Sequence, residues 1–248
     1  MKLELYMLGT GGAFAKKYAN NNGLFTCGDY TLLVDCGITA PRVLHEIGME
    51  LDRIDGILIT HLHGDHVGGL EELAFRMKYI YGKKLRLLLP EALIEPIWEN
   101  TLRGGMENRR EGMNCLNDYF EVTPLAAHVS VELAPGFTIE SLPTRHIPDK
   151  ASVALILNEK MFFSSDTVFD RSLIDYVYYE RGCKHLLHEC QLTGPGVVHT
   201  ALDDLLALPE EIQRATLLMH YGDEMERFTK QTGSMHFLLQ QKLYTFDL

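Results

Sequence analysis

Thr60-His61-Leu62-His63-Gly64-Asp65-His66-Val67-Gly68-Gly69, THLHGDHVGG, crowds three imidazoles and a carboxylate onto one short loop. The preceding run, DGILIT over 55–60, is continuously apolar, the mark of a strand buried on both faces. The loop therefore leaves the C-terminal end of a strand, and Gly68-Gly69 lead into an amphipathic helix over 70–81. A polar turn has no need of so much imidazole. Imidazole and carboxylate together are the donor set of zinc, manganese or iron. A two-ion centre needs more donors than one loop holds, so the remainder must come from elsewhere in the chain.

Three later residues occupy the same context. His146 lies in SLPTRHIPDKAS, Asp166 in MFFSSDT and His220 in ATLLMHYGD, each just past an apolar strand. A histidine after a strand is ordinarily a surface or satisfied core residue. Four strand ends that each deliver donors, toward what would be one sheet edge, favour a metal site.

The totals suit a globular chain. Of 248 residues, 46% are hydrophobic and 23% charged, enough to bury a core without staples. MKLELYMLGTGG reads as an alternating strand and lacks the apolar stretch of a signal peptide. No run approaches the roughly 20 apolar residues of a membrane helix. Cys27, Cys36, Cys115, Cys183 and Cys190 form no CxxC pair and read as reduced thiols, which places the chain in the cytoplasm. The net charge of −11 argues against a large nucleic-acid footprint. It does not exclude a phosphate substrate, because bound divalent ions supply local positive charge.

Strands are expected at 2–8, 24–27, 30–35, 55–60, 85–89, 119–123, 128–133, 137–142, 152–158, 161–164, 215–219 and 243–247. Helices are expected at 41–48, 70–81, 91–101, 170–181, 200–206, 209–214 and 222–232. Residues 103–118, RGGMENRREGMNCLND, have the composition of a mobile loop, a lid or a dimer contact. Trp98, Tyr119 and Phe120 beside it could stack on a base, but core packing is the ordinary role of such residues. Gly9-Thr10-Gly11-Gly12 reads equally as a tight turn or a phosphate contact. The layout is one domain, 1–248, built from two βα halves of about 1–135 and 136–248.

His61-Leu62-His63-Gly64-Asp65-His66, followed by His146, Asp166 and His220, resembles the metallo-β-lactamase fold family along nearly the whole chain. The resemblance implies an α/β αββα four-layer sandwich. It also implies one metal on His61, His63 and His146, a second on Asp65, His66 and His220, and Asp166 bridging them. The ions would be zinc, with manganese also suiting the ligands. His188-Glu189-Cys190 resembles the His-Glu-Ala-Thr segment of RNase Z-type phosphodiesterases, and His199-Thr200-Ala201 their His-Ser/Thr segment. Carried over, His199 protonates the leaving oxygen, Glu189 orients it and Asp65 holds the nucleophile. Cys190-Gln191 departs from the family's Ala-Thr. Arg145-His146-Ile147-Pro148 departs from the Gly-His-Thr of lactamases and glyoxalases, and His63 from the glutamate of oxygen reductases.

RNase Z proteins carry a long tRNA-gripping arm, inserted in bacterial forms between the third histidine and the bridging aspartate. Here only a strand, a turn and a strand separate His146 from Asp166. An arm-less, acidic chain is similar to metallo-β-lactamase-fold cyclic-nucleotide phosphodiesterases, among them the anti-Pycsar proteins of phages and bacteria. That resemblance implies a 3′,5′-cyclic nucleotide substrate, a 5′-monophosphate product, a role against cyclic-nucleotide immune signalling, and a homodimer. The competing readings are a tRNA 3′-processing nuclease, a lactamase or thioesterase, and a silent nucleotide-binding module.

Overall fold

A computed structural model describes residues 2–247. The first half builds β1 (Lys2–Gly9), β2 (Asn22–Cys27), β3 (Tyr30–Val34), β4 (Gly56–Leu58), β5 (Leu85–Pro90) and β6 (Phe120–Leu125). The second half builds β7 (Ser130–Ala134), β8 (Phe137–Thr144), β9 (Ser152–Leu157), β10 (Met161–Phe163), β11 (His185–Glu189), β12 (Thr216–Met219) and β13 (His236–Phe237). β14 (Lys242–Asp247) returns to the first sheet and pairs antiparallel with β1. The strand orders are β14-β1-β2-β3-β4-β5-β6 and β13-β12-β11-β10-β9-β8-β7.

Period-two alternation sorts the strand residues into layers. Leu3, Leu5 and Met7 of β1, Leu32 and Val34 of β3, Leu155 and Leu157 of β9, and Phe163 of β10 fill the core between the two sheets. Their neighbours point the other way. Leu33, Ile57 and Leu87 meet α1 (Ala40–Glu46) and α2 (Leu70–Arg76) on one outer face. Ala154, Ile156, Phe162 and Leu218 face Ile174, Val177, Leu205 and Ile212 on the other. Three stacked cores make four layers, helix, sheet, sheet, helix.

Strand direction decides where the site lies. β3, β4, β5 and β6 run parallel, as do β10, β11, β12 and β13. β9 is antiparallel to both β8 and β10, so β8 points the same way as β10. The C-terminal ends of β3, β4, β8, β10, β11 and β12 therefore open along one edge of the sandwich.

Several expected elements take other forms. The helices expected over 70–81, 91–101 and 170–181 each end in a π-helical turn, Met77–Tyr81, Trp98–Leu102 and Tyr176–Glu180. The helix expected over 222–232 is only a 3₁₀ turn, Met225–Phe228, because Asp223 spends its carboxylate on the Lys16 and Lys17 amides and Gly233 adopts a left-handed conformation. Residues 103–118 are not a free lid. They form α3 (Arg103–Met106) and two 3₁₀ turns, and Met106, Met113 and Leu116 are buried in the outer core. Trp98, Tyr119 and Phe120 belong to that same core, in keeping with the packing role.

Candidate metal centre and active site

β4 stops at Leu58, and the chain turns through His61 and His63 into the single helical turn Gly64–Val67, which carries Asp65 and His66. His146 follows β8, Asp166 follows β10, Glu189 closes β11 and His220 follows β12. Asp35, Ser165 and His220, all at strand ends, hold φ of 60°, 49° and 57°. These left-handed turns cost roughly 1–3 kcal/mol each, a strain that collects where a fold must aim functional side chains.

Two clusters share Asp166: His61, His63, His146 and Asp166 form one, and Asp65, His66, Asp166 and His220 the other. A third group, Glu189, His199 and His220, adjoins the second. In the first, His63 Nδ1 is 3.1 Å from His61 Nε2 and 3.1 Å from His146 Nε2. Asp166 Oδ2 is 3.7 Å from both of those Nε2 atoms. In the second, Asp65 Oδ2 is 3.2 Å from His66 Nε2 and from His220 Nε2, and Asp166 Oδ1 is 3.3 and 3.4 Å from them. Each Asp166 oxygen thus faces one cluster.

The donors fit a pair of divalent cations. Nitrogens held about 2.0–2.1 Å from one tetrahedral ion sit about 3.3 Å apart, close to the spacings seen here. His66 Nε2 and Asp166 Oδ1 are buried and make no hydrogen bond. Orphaned buried polar atoms are costly unless something else satisfies them. Burial depresses His61, His63 and His146 below the ordinary histidine value, leaving their rings neutral and able to donate lone pairs. Burial would also depress His220, but the Asp166 charge and the Asp65 hydrogen bond lift it to about 9. Burial would raise Asp166, yet the His220 and His66 charges hold it well below the carboxylate range. In the second cluster, protons fill part of the role that a cation takes.

The outer contacts fix these side chains. Asp35 Oδ2 lies 2.7 Å from His66 Nδ1, which aims Nε2 inward. Asp35 is itself held by the Thr60 amide and hydroxyl, and Thr60 Oγ1 also lies 2.7 Å from Ser165 Oγ. His146 Nδ1 is 2.7 Å from the Val198 carbonyl. Asp35 escaped sequence reasoning, although Asp35-Cys36-Gly37 at a strand end was a signal of the same kind as Asp166.

His199 stands beside both clusters. Its Nδ1 lies 3.0 and 3.1 Å from the two Glu189 oxygens, and Glu189 Oε1 accepts the Thr167 amide at 2.7 Å. Burial would depress His199; the Glu189 hydrogen bond and charge, with Asp166, raise it instead. Burial and the Asp166 charge in turn raise Glu189, so the two groups favour sharing a proton. All nine sequence-selected residues therefore meet at one edge. His188 does not join them: it points to the opposite face, near Phe162, with Nδ1 at 2.8 Å from the Glu189 carbonyl.

A sandwich of this order is the metallo-β-lactamase fold, and the donors gathered at its edge could hold divalent metals. The metallo-β-lactamase-fold protein YhfI of Bacillus subtilis superposes with a TM-score of 0.75 at 20% identity, over 99% of this chain and 100% of the other. The chain belongs to the anti-Pycsar protein Apyc1 family, whose model matches residues 3–244. The anti-Pycsar protein Apyc1 of Paenibacillus sp. (strain J14) is 54% identical over 99% of this chain and 100% of its own length. That of Paenibacillus xerothermodurans is 50% identical over 99% and 98%.

Proposed function

We propose that this chain hydrolyses 3′,5′-cyclic nucleotides, including cCMP, cUMP, cAMP and cGMP, to nucleoside 5′-monophosphates, and so counters Pycsar immune signalling. The observation that carries the reading is the His199–Glu189 pair set against two clusters that share Asp166. Family membership supports the biological role.

His61, His63, His146 and Asp166 would hold one divalent ion, and Asp65, His66, Asp166 and His220 the other. Zinc suits these ligands, and manganese is the alternative. When bound, such a pair supplies Lewis-acid charge against phosphate oxygens and makes water more acidic. The chain's own groups do the rest. Asp65 holds the attacking oxygen in place. As that oxygen bonds to phosphorus, the bond from phosphorus to O3′ breaks in line with it. Glu189 holds His199 Nδ1, which leaves Nε2 to deliver a proton to O3′. The proton given up by water restores His199, so one water is consumed for each ring opened. Proton delivery of this kind contributes about 10²–10⁴-fold.

The homodimer and the cytoplasmic location form part of this reading, and sedimentation of the purified protein tests the first. The decisive experiment incubates protein carrying two metals per chain with the four cyclic nucleotides, beside a chelated control. Chelator-sensitive release of 5′-monophosphates is expected. No release, or cleavage of a pre-tRNA in its place, would overturn the proposal.

A further inference from the structure

We infer that Phe14 is the nucleobase contact of this site, and that the nucleoside lies in the cavity on the His199 side of the metal centre. This rests on the cyclic-nucleotide reading and deepens it.

Two cavities flank the clusters. One, of about 460 Å³, opens beside His61, His63 and His146 and is walled by Leu93, Pro96 and Ile147. The other, of about 380 Å³, opens beside His199, His220 and Glu189 and is walled by Phe14, Tyr221 and Glu224. In-line displacement puts the attacking and leaving oxygens on opposite sides of phosphorus. The acid must reach the leaving oxygen. In a 3′,5′-cyclic nucleotide that oxygen is O3′, so the ribose and its base occupy the cavity that contains His199. Apart from its histidines, the first cavity has no aromatic side chain in its lining.

Phe14 is 91% exposed, and it is the one exposed phenylalanine among the described residues. Its turn is nonetheless pinned. The Gly12 amide donates to the Tyr221 carbonyl, the Ala15 amide to Gly12, and the Lys16 and Lys17 amides to Asp223. A β-carbon at Gly12 would come within 3.2 Å of the His220 ring, so glycine lets the turn lie against that ligand. A ring left in water on an anchored turn, at the lip of the leaving-group cavity, offers a π-face to a planar ligand. Stacking accepts every base, because each has such a face. Broad base tolerance follows.

The test compares wild type, Phe14→Ala and Phe14→Tyr on the four cyclic nucleotides and on abasic 1-deoxyribose 3′,5′-cyclic phosphate. Phe14→Ala should raise KM for all four nucleotides by about tenfold with kcat nearly kept, the pattern of lost uniform binding. Calorimetric affinity for a cyclic phosphorothioate should fall to the same extent. Tyrosine should restore both, and the abasic substrate should respond equally to wild type and Phe14→Ala. An unchanged KM in Phe14→Ala, or an equal loss on the abasic substrate, overturns this inference alone. Metal-loaded wild type that hydrolyses no cyclic nucleotide overturns the functional proposal along with it.

Discussion

His199 and Asp35 illustrate two ways in which one side chain serves this centre. His199 is fixed by Glu189 and is not among the seven residues assigned to the two metals, so His199→Ala should lower kcat by about 10²–10⁴-fold while two metals per chain remain. Elemental analysis beside the kinetics decides this: loss of metal in that variant would sink the proton-donor role. Asp35 faces no substrate cavity and acts through His66 Nδ1. Asp35→Ala should weaken metal binding by about 10–100-fold, the usual cost of losing the partner of a ligating histidine. Competition with a fluorescent chelator measures it, and unchanged affinity would show that Thr60 and the backbone suffice. His61 to His66, His146, Asp166 and His220 were legible because ligand chemistry repeats after apolar strands. Asp35 was not, because an aspartate closing a strand differs from a capping residue only in what the fold brings against it. The positive φ of Ser165 and His220 left no mark in the sequence either, since neither residue type requires that conformation.

At the level of elements, the Asp35-Cys36-Gly37 turn is packed backbone to backbone against the loop that bears Asp65. The Cys36 amide donates to the His66 carbonyl at 2.7 Å, and a β-carbon on Gly37 would overlap the Asp65 carbonyl. Gly37→Ala must therefore push the motif loop away. Overpacking of this kind costs about 1–3 kcal/mol, or a fall in Tm of roughly 2–12 °C for a chain of this size. Gly104→Ala, where an added β-carbon meets nothing, is the control. Equal melting of the two variants would show that the turn yields freely. Most strands were legible to within two or three residues, because alternation and apolar runs report burial directly. β11, HLLHE, was not. Its two histidines and a glutamate carry no apolar signature, yet parallel pairing with β10 and β12 buries four of its five residues. The helices over 70–81 and 170–181 kept their extent but loosened at their ends, where Gly82 and Gly182 take left-handed conformations.

Across the whole molecule, the centre joins the two halves. His61, His63, Asp65 and His66 come from the first sheet's edge, and His146, Asp166 and His220 from the second. A cation held by both sheets would stabilise only the assembled sandwich. Removing metal with a chelator should lower Tm by several degrees, and restoring it in excess should raise Tm with the logarithm of free metal. We propose that residues 1–248 unfold as one domain, in a single calorimetric transition whose midpoint moves as a unit. Two transitions, only one of them metal-sensitive, would divide the halves.

The pairing of Leu3 with Phe246 sets an order of events during synthesis. A nascent chain makes β1 first and its outer neighbour β14 last. Until then the β1 edge carries unpaired backbone groups beside Leu3, Leu5 and Met7, the kind of edge that recruits other strands. His220 also emerges late, so the second cluster is the last to have all its residues made. A product stalled before residue 242 would carry every residue of the centre yet offer newly made chains an open β1 edge.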